Sequence, residues 1–164
     1  MKEIITNLVA YNTWANTRYI DWIKYLPTAD LDKEVSSSYN TLSKTLGHIF
    51  DAQQFWTLFL KNEQYSAFQW NKHQTYTTQL FIDFIESTVQ FDECCNLLTE
   101  TVLGSKRKFE TSWATNELLL GNYIIHTINH NTYHRGQLIS MAHQLGHPEN
   151  IPHSEYSFFL GQDM

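Results

Sequence analysis

Cysteine is scarce in this chain: Cys94 and Cys95 are the only two, and they are adjacent. Neighbours of this kind give no ordinary disulfide framework, and neither belongs to a Cys-x-x-Cys metal motif. Both are expected to be reduced helix residues, which suits a cytosolic compartment. Long apolar runs are missing too. No segment approaches the ~20 apolar residues of a membrane span, and the N-terminal MKEIITNLVAYNTWANTRYI holds no continuous apolar stretch of signal-peptide length. The expectation is a soluble, cytoplasmic protein with no membrane partner. Positive charge is in deficit, with 11 Lys and Arg against 17 Asp and Glu and a net charge of -6. Such a surface offers no field to hold a phosphate backbone, so no nucleic-acid partner is expected. The one basic cluster, Lys106, Arg107 and Lys108, reads as a solvated turn. Charged residues make up only 17% of the chain against 42% hydrophobic, which argues against a disordered tail and predicts order nearly throughout.

What is present is helical periodicity. Ile4, Leu8, Tyr11, Ala15, Tyr19, Trp22 and Leu26 recur at spacings of three and four, the mark of one buried helix face, and Pro27 stops it. The polar stretch PTADLDKEVSSSYN follows as a surface connection, after which Asn40 or Thr41 is placed to cap a second helix. That helix carries Leu42, Leu46, Ile49, Gln53, Trp56 and Leu60 on one stripe and Thr45, His48, Ala52, Phe55 and Phe59 on the adjoining one, so His48 is expected to face inward. Residues 64–77 lose the period and read as a loop, with His73 exposed between Lys72 and Gln74. Phe81 through Val102 mark a third helix ending near Gly104. SKRKFETSW suits an extended connection, although a short strand pair is not excluded. A fourth helix runs from about 116 to 145, with Thr115 as cap, Glu117 near its positive end, and Gly146 and Pro148 beyond it. The aromatic tail HPENIPHSEYSFFLGQDM is expected to pack back onto these helices. Four long helices, no convincing strand pair and no internal repeat predict an all-α fold, a four-helix bundle, in a single domain over 1–164.

The fourth helix holds the unusual feature. Successive residues turn by about 100°, so positions four apart drift only ~40°, and His126, His130 and His134 share one side of the helix. They replace apolar residues in a ladder that continues through Leu138, Met141 and Leu145. A lone histidine there is most simply a hydrogen-bonded core residue. Three in register are costly, since each unmet buried polar group costs on the order of 1 to 3 kcal/mol. A divalent ion gives them a common purpose: two imidazoles at i and i+4 bind from one helix, and His48, the other inward-facing histidine, is available from a neighbour. Spacing alone permits His126 with His130 as readily as His130 with His134. Paired Glu-x-x-His motifs of di-iron bundles and the His-Glu-x-x-His of zinc proteases are absent. Gly136 interrupts the helix at roughly 1 kcal/mol, for which close approach of another backbone is the simplest reason. Arg135 reads as a surface or dimer salt bridge rather than a partner of Asp51 or of an anionic substrate. Asn129, Tyr133 and Gln137 are placed to support a metal-bound ring or line a pocket mouth. Trp14 reads as core or pocket wall.

HTINHNTYHRGQL, together with LGHIFDAQQFW and YNTWAN, resembles the DinB family, the damage-inducible proteins related to YfiT-like metal hydrolases and thiol transferases. The resemblance spans nearly the whole chain, and its specificity lies in the second-helix histidine joined to the Asn-His-x-x-x-His-Arg-Gly-Gln signature. It implies a four-helix bundle, commonly a homodimer, with a divalent ion of nickel or zinc type on His48, His130 and His134, and His126 as a pocket neighbour. It also implies a metal-dependent enzyme acting on a small molecule, either a thiol S-transferase using a low-molecular-weight thiol or a hydrolase. A non-enzymatic stress-response bundle whose metal stabilises the fold or the dimer is the alternative. His126 and Asp51 are the candidates for moving a proton, and no protein nucleophile is indicated.

Overall fold

The computed structural model describes residues 1–161. These residues are mostly helical, as the sequence predicts, with one two-stranded antiparallel sheet. The order is α1 (Lys2–Ile23), α2 (Thr28–Leu31), α3 (Leu42–Lys61), α4 (Thr78–Leu97), α5 (Glu100–Leu103), β1 (Lys106–Glu110), β2 (Thr115–Leu119), α6 (Leu120–Gln144) and α7 (Tyr156–Leu160). Helices α1 and α3 each pack against both α4 and α6. The apolar faces enclose two clusters: one around Phe55, Trp56, Phe59, Phe109 and Tyr123, the other around Ile20, Ile49, Phe84, Leu138 and Met141.

Local chemistry sets the helix ends. Thr41 accepts a hydrogen bond from the Lys44 amide and Thr77 from the Leu80 amide, each satisfying one of the free donors of a first turn. Two boundaries differ from expectation. The third periodic segment is interrupted at Leu98, whose backbone is extended, and Thr99 caps a new one-turn helix by accepting from the Val102 amide. The fourth helix begins at Leu120, not near 116, because Thr115–Leu119 pair antiparallel with Lys106–Glu110, Phe109 facing Asn116. Strand β1 buries only Phe109 fully, while Arg107 turns to the C-terminus of α3 and donates to the carbonyls of Phe59 at 2.6 Å and Leu60 at 2.9 Å. One residue of the basic run therefore complements a helix dipole.

The tail returns as expected, with Phe159 buried against Trp14 and Tyr11 at ring separations of 5.6 and 5.9 Å. Its last three residues lie outside the described ones. Between clusters runs a buried polar layer. Gln53 Oε1 accepts from Asn16, Asn131 and Thr88 at 2.9 to 3.2 Å, and its amide donates to Ser87 and Thr88. Arg135 joins this layer. It is 2% exposed and donates to Asn12, Asn16 and Thr132, so the surface or dimer salt bridge expected of it is not formed. Burial pushes the pKa of its guanidinium down from the ordinary value, with Tyr11 opposing.

Candidate metal centre

The ladder on α6 is graded. His134 is buried, His130 half-buried and His126 exposed. The ~40° drift per four residues carries the side chains progressively off the core toward the N-terminus, which is why three histidines in register do not become three equivalents. His48, half-buried on α3, faces the same point.

Three rings meet there. His48 Nε2 lies 2.9 Å from His130 Nε2, which lies 3.1 Å from His134 Nε2, and one nitrogen of each ring falls within 4.8 Å of the others. The far nitrogens are held separately. Gln137 donates through its amide to Ser38 and Tyr133 at 3.2 and 3.0 Å, which leaves its Oε1 to accept from His134 Nδ1 at 2.7 Å. The proton is thereby fixed on Nδ1, and Nε2 presents a lone pair to the cluster. On His48, the Tyr39 hydroxyl bonds Nδ1 at 2.8 Å and the Tyr39 ring stacks at 4.2 Å.

This donor set fits a cation. A neutral His130 carries one proton. On Nε2 it serves only one of two facing nitrogens; on Nδ1 it has at best the neighbouring Asn131 side chain, which does not meet it at full hydrogen-bond geometry, and lone pairs then face each other across the cluster. Either choice leaves a polar group unmet at about 1 to 3 kcal/mol, a conflict that a divalent ion at the point of convergence removes. Proton binding is no remedy. Desolvation, then the charge of neighbouring rings, pushes the pKa of His48 down to about 4 and that of His130 to about 3, and burial lowers that of His134. All three rings are neutral at pH 7, the form that ligates metal.

Beside His48 and His130 opens a cavity of about 330 Å³ walled by Phe55, Trp56, Trp70, Trp113 and His126. A larger cleft of about 690 Å³ lies between α1 and the 147–153 segment and touches none of the three histidines, so size does not mark the site. Partial desolvation against the cavity wall lowers the pKa of the His126 ring, although its residue is exposed overall; it stands on the cavity's rim with its centroid 6.5 Å from that of His130.

Several neighbours depart from expectation. No atom comes within 4 Å of where a Cβ on Gly136 would stand, so no backbone approach explains that glycine. Gly47 is the tight position: a Cβ there would overlap the carbonyl oxygen of His73. His73 is buried, not exposed, because its Nε2 lies 2.9 Å from Asp83 Oδ2 and pins the loop between α3 and α4. The same loop is held by Asp51, whose Oδ2 accepts from the Asn71 amide at 2.6 Å. Burial raises the pKa of Asp51, partly offset by that amide. Gln137 supports a ring as expected, Tyr133 orients Gln137, and Asn129 is exposed. Tyr39, Trp70 and Trp113 come from connections without periodicity. Sequence offers no signal for them beyond the oddity of large aromatics in polar loops.

The DinB family model matches residues 1–156. Protein DinB of Bacillus subtilis (strain 168) is 24% identical over 171 residues, covering 98% of this chain and 95% of that protein. With the family match extending over α1 to α6 and all three clustered histidines, the chain belongs to the DinB family.

Proposed function

We propose that this protein is a metal-dependent enzyme in which His48, His130 and His134 hold a divalent ion, of nickel or zinc type, inside a four-helix bundle made by α1, α3, α4 and α6. The observation that carries the reading is the meeting of three neutral Nε2 atoms beside an open cavity. Three nitrogen ligands leave coordination positions for water or substrate, the arrangement of a catalytic rather than a closed structural site. When bound, the ion supplies Lewis acidity that lowers the pKa of a coordinated water or thiol. The chain's own residues do the rest: Tyr39 and Gln137 fix ring orientation, the aromatic walls give a substrate an apolar approach to the ion, and His126 at the rim accepts or returns a proton. Thiol S-transfer from a low-molecular-weight thiol to an electrophile, or hydrolysis, is the reaction class, in a cytoplasmic homodimer.

A structural role for the ion has one observation in its favour: the histidines come from α3 and α6, so an ion there ties two helices together. The readings part on whether a coordination position exchanges. The test begins with elemental analysis of untagged protein after incubation with nickel or zinc, wild type against His134→Ala, with circular dichroism to establish that the variant is folded. About one ion per chain in wild type and little in the variant is expected. Thiols are then screened with an electrophilic acceptor. Equal, negligible metal in both proteins defeats the metal reading; bound metal without exchangeable water defeats the enzyme reading.

A further inference from the structure

The cavity beside the histidines has a chemical character of its own. Its walls are Phe55, Trp56, Trp70 and Trp113, with the ring of Trp70 5.0 Å from that of Phe55 and the ring of Trp113 6.4 Å from it. Trp113 is 62% exposed and Trp70 38% exposed, so two of the largest apolar side chains in the chain keep a large share of their surface in solvent. Leaving such surface in water forgoes roughly 25 cal/mol per Å². Hydrogen bonds hold the backbone that carries each. Trp70 precedes the Asn71 amide tied to Asp51, and Trp113 sits in the β1–β2 turn closed by the Thr111 amide donating to the Ala114 carbonyl at 2.9 Å.

No charged residue lines this cavity, and none lines the two that adjoin it through Trp113, one of about 110 Å³ toward Tyr123 and one of about 360 Å³ toward Tyr65. In a chain with 11 basic and 17 acidic residues that is a selective absence. Its side chains give no counter-charge for a carboxylate, phosphate or ammonium, so in metal-free protein nothing in the cavity attracts an ionic ligand. The polar group available at the rim is the ring of His126, which makes no hydrogen bond to any other described residue. At about 330 Å³ the cavity sits at the small end of ligand pockets, ~300 to 1,000 Å³, which suits one ring system and not a polymer.

We propose that this cavity binds the flat, uncharged aromatic part of a small molecule, stacked between Trp70 and Trp113 with a polar substituent directed to His126. As a substrate subsite it rests on the metal-dependent reading above; as a binding site it rests on the cavity alone.

Isothermal titration with 2-naphthol, against cyclohexanol and naphthalene-2-sulfonate, tests it in metal-stripped and metal-loaded protein. The expected result is saturable binding of one 2-naphthol per chain, with cyclohexanol at least tenfold weaker in both forms and the sulfonate at least tenfold weaker in metal-stripped protein. Trp113→Ala and Trp70→Ala are each expected to weaken 2-naphthol roughly threefold to tenfold, the range one aromatic contact supports. Trp22→Phe, in the larger cleft, should leave it unchanged. No saturable binding, equal binding of the sulfonate by metal-stripped protein, insensitivity to both cavity variants, or loss on Trp22→Phe overturns the proposal. Protein that takes up metal but not 2-naphthol loses the subsite and keeps the functional reading; protein that binds 2-naphthol through Trp113 but takes up no metal does the reverse.

Discussion

Acid should weaken the metal-free protein well above the range where its carboxylates titrate. The folded state holds His130 with a pKa near 3 and His48 near 4, against 6.5 for an ordinary histidine. As pH falls below about 6.5 the unfolded chain takes up protons that the folded rings refuse, so stability present in full above 6.5 is lost progressively toward pH 4 and 3. At pH 5 each ring contributes a loss of about 2 kcal/mol by this linkage. Both rings keep some contact with solvent, so about 2 to 4 kcal/mol for the pair is the expected range. That is a large part of the 5 to 15 kcal/mol typical of a domain and corresponds to a melting shift on the order of 10 °C.

The measurement is thermal or urea unfolding in a chelator from pH 7.5 to 5, comparing the parent with His130→Asn and His48→Asn. Each variant should flatten the profile by about one ring's share. Histidines away from the cluster and Asp51 contribute alike to parent and variant and cancel in the difference, while the remaining rings of the cluster, relieved of one like charge, are less depressed and add to the flattening. Asp83, whose pKa is pushed from 3.8 down to about 2 by hydrogen bonds from Lys72, Gln79 and His73 that outweigh its desolvation, loses its contribution between those two values, below this window. A parent profile that is flat from pH 7 to 5, or variants that keep its slope, would refute the claim that desolvation holds these rings neutral.

Gly47→Ala should lower stability by about 1 to 3 kcal/mol, because its Cβ has no room against His73, whereas Gly136→Ala, in open space, should raise it by up to about 1 kcal/mol; urea midpoints decide both. Arg135→Met keeps bulk but strands the buried Asn16 Oδ1, which the guanidinium reaches at 2.7 Å, and should cost about 1 to 3 kcal/mol in the same assay; a neutral result would mean that the polar layer reorganises. Tyr39→Phe should leave the fold intact and weaken metal affinity about 10- to 100-fold, measured by competition with a chelator, since the hydroxyl holds His48 Nδ1. Unchanged affinity would remove Tyr39 from the site.

Much of the helical frame was legible because 3.6-residue periodicity is a property of contiguous sequence. The stripes through α1, α3, α4 and α6 needed no distant partner to be seen, and Thr41 announced its helix through residues beside it. The hairpin was half legible. Lys106–Glu110 alternates and reads as extended, but Thr115–Leu119 is mostly exposed with no alternation, so only their pairing shows that the fourth helix starts at Leu120. His73 and Arg135 were misplaced for a related reason. Each is polar in sequence and buried in the fold because a partner from another element, Asp83 for one and Asn12 and Asn16 for the other, meets its donors.

The sequence by itself determined that three histidines would line one side of one helix and that His48 would face inward, since both follow from helix geometry and hydrophobic pattern. Tertiary structure decided which three rings meet. Bringing α3 against α6 puts His48 within 2.9 Å of His130, helix drift turns His126 outward, and two loops deliver Tyr39, Trp70 and Trp113 to the rings and the cavity. Periodicity gives a side chain its direction about one axis; the distance between two axes, and what a loop carries into the space between them, exist only once the elements are packed.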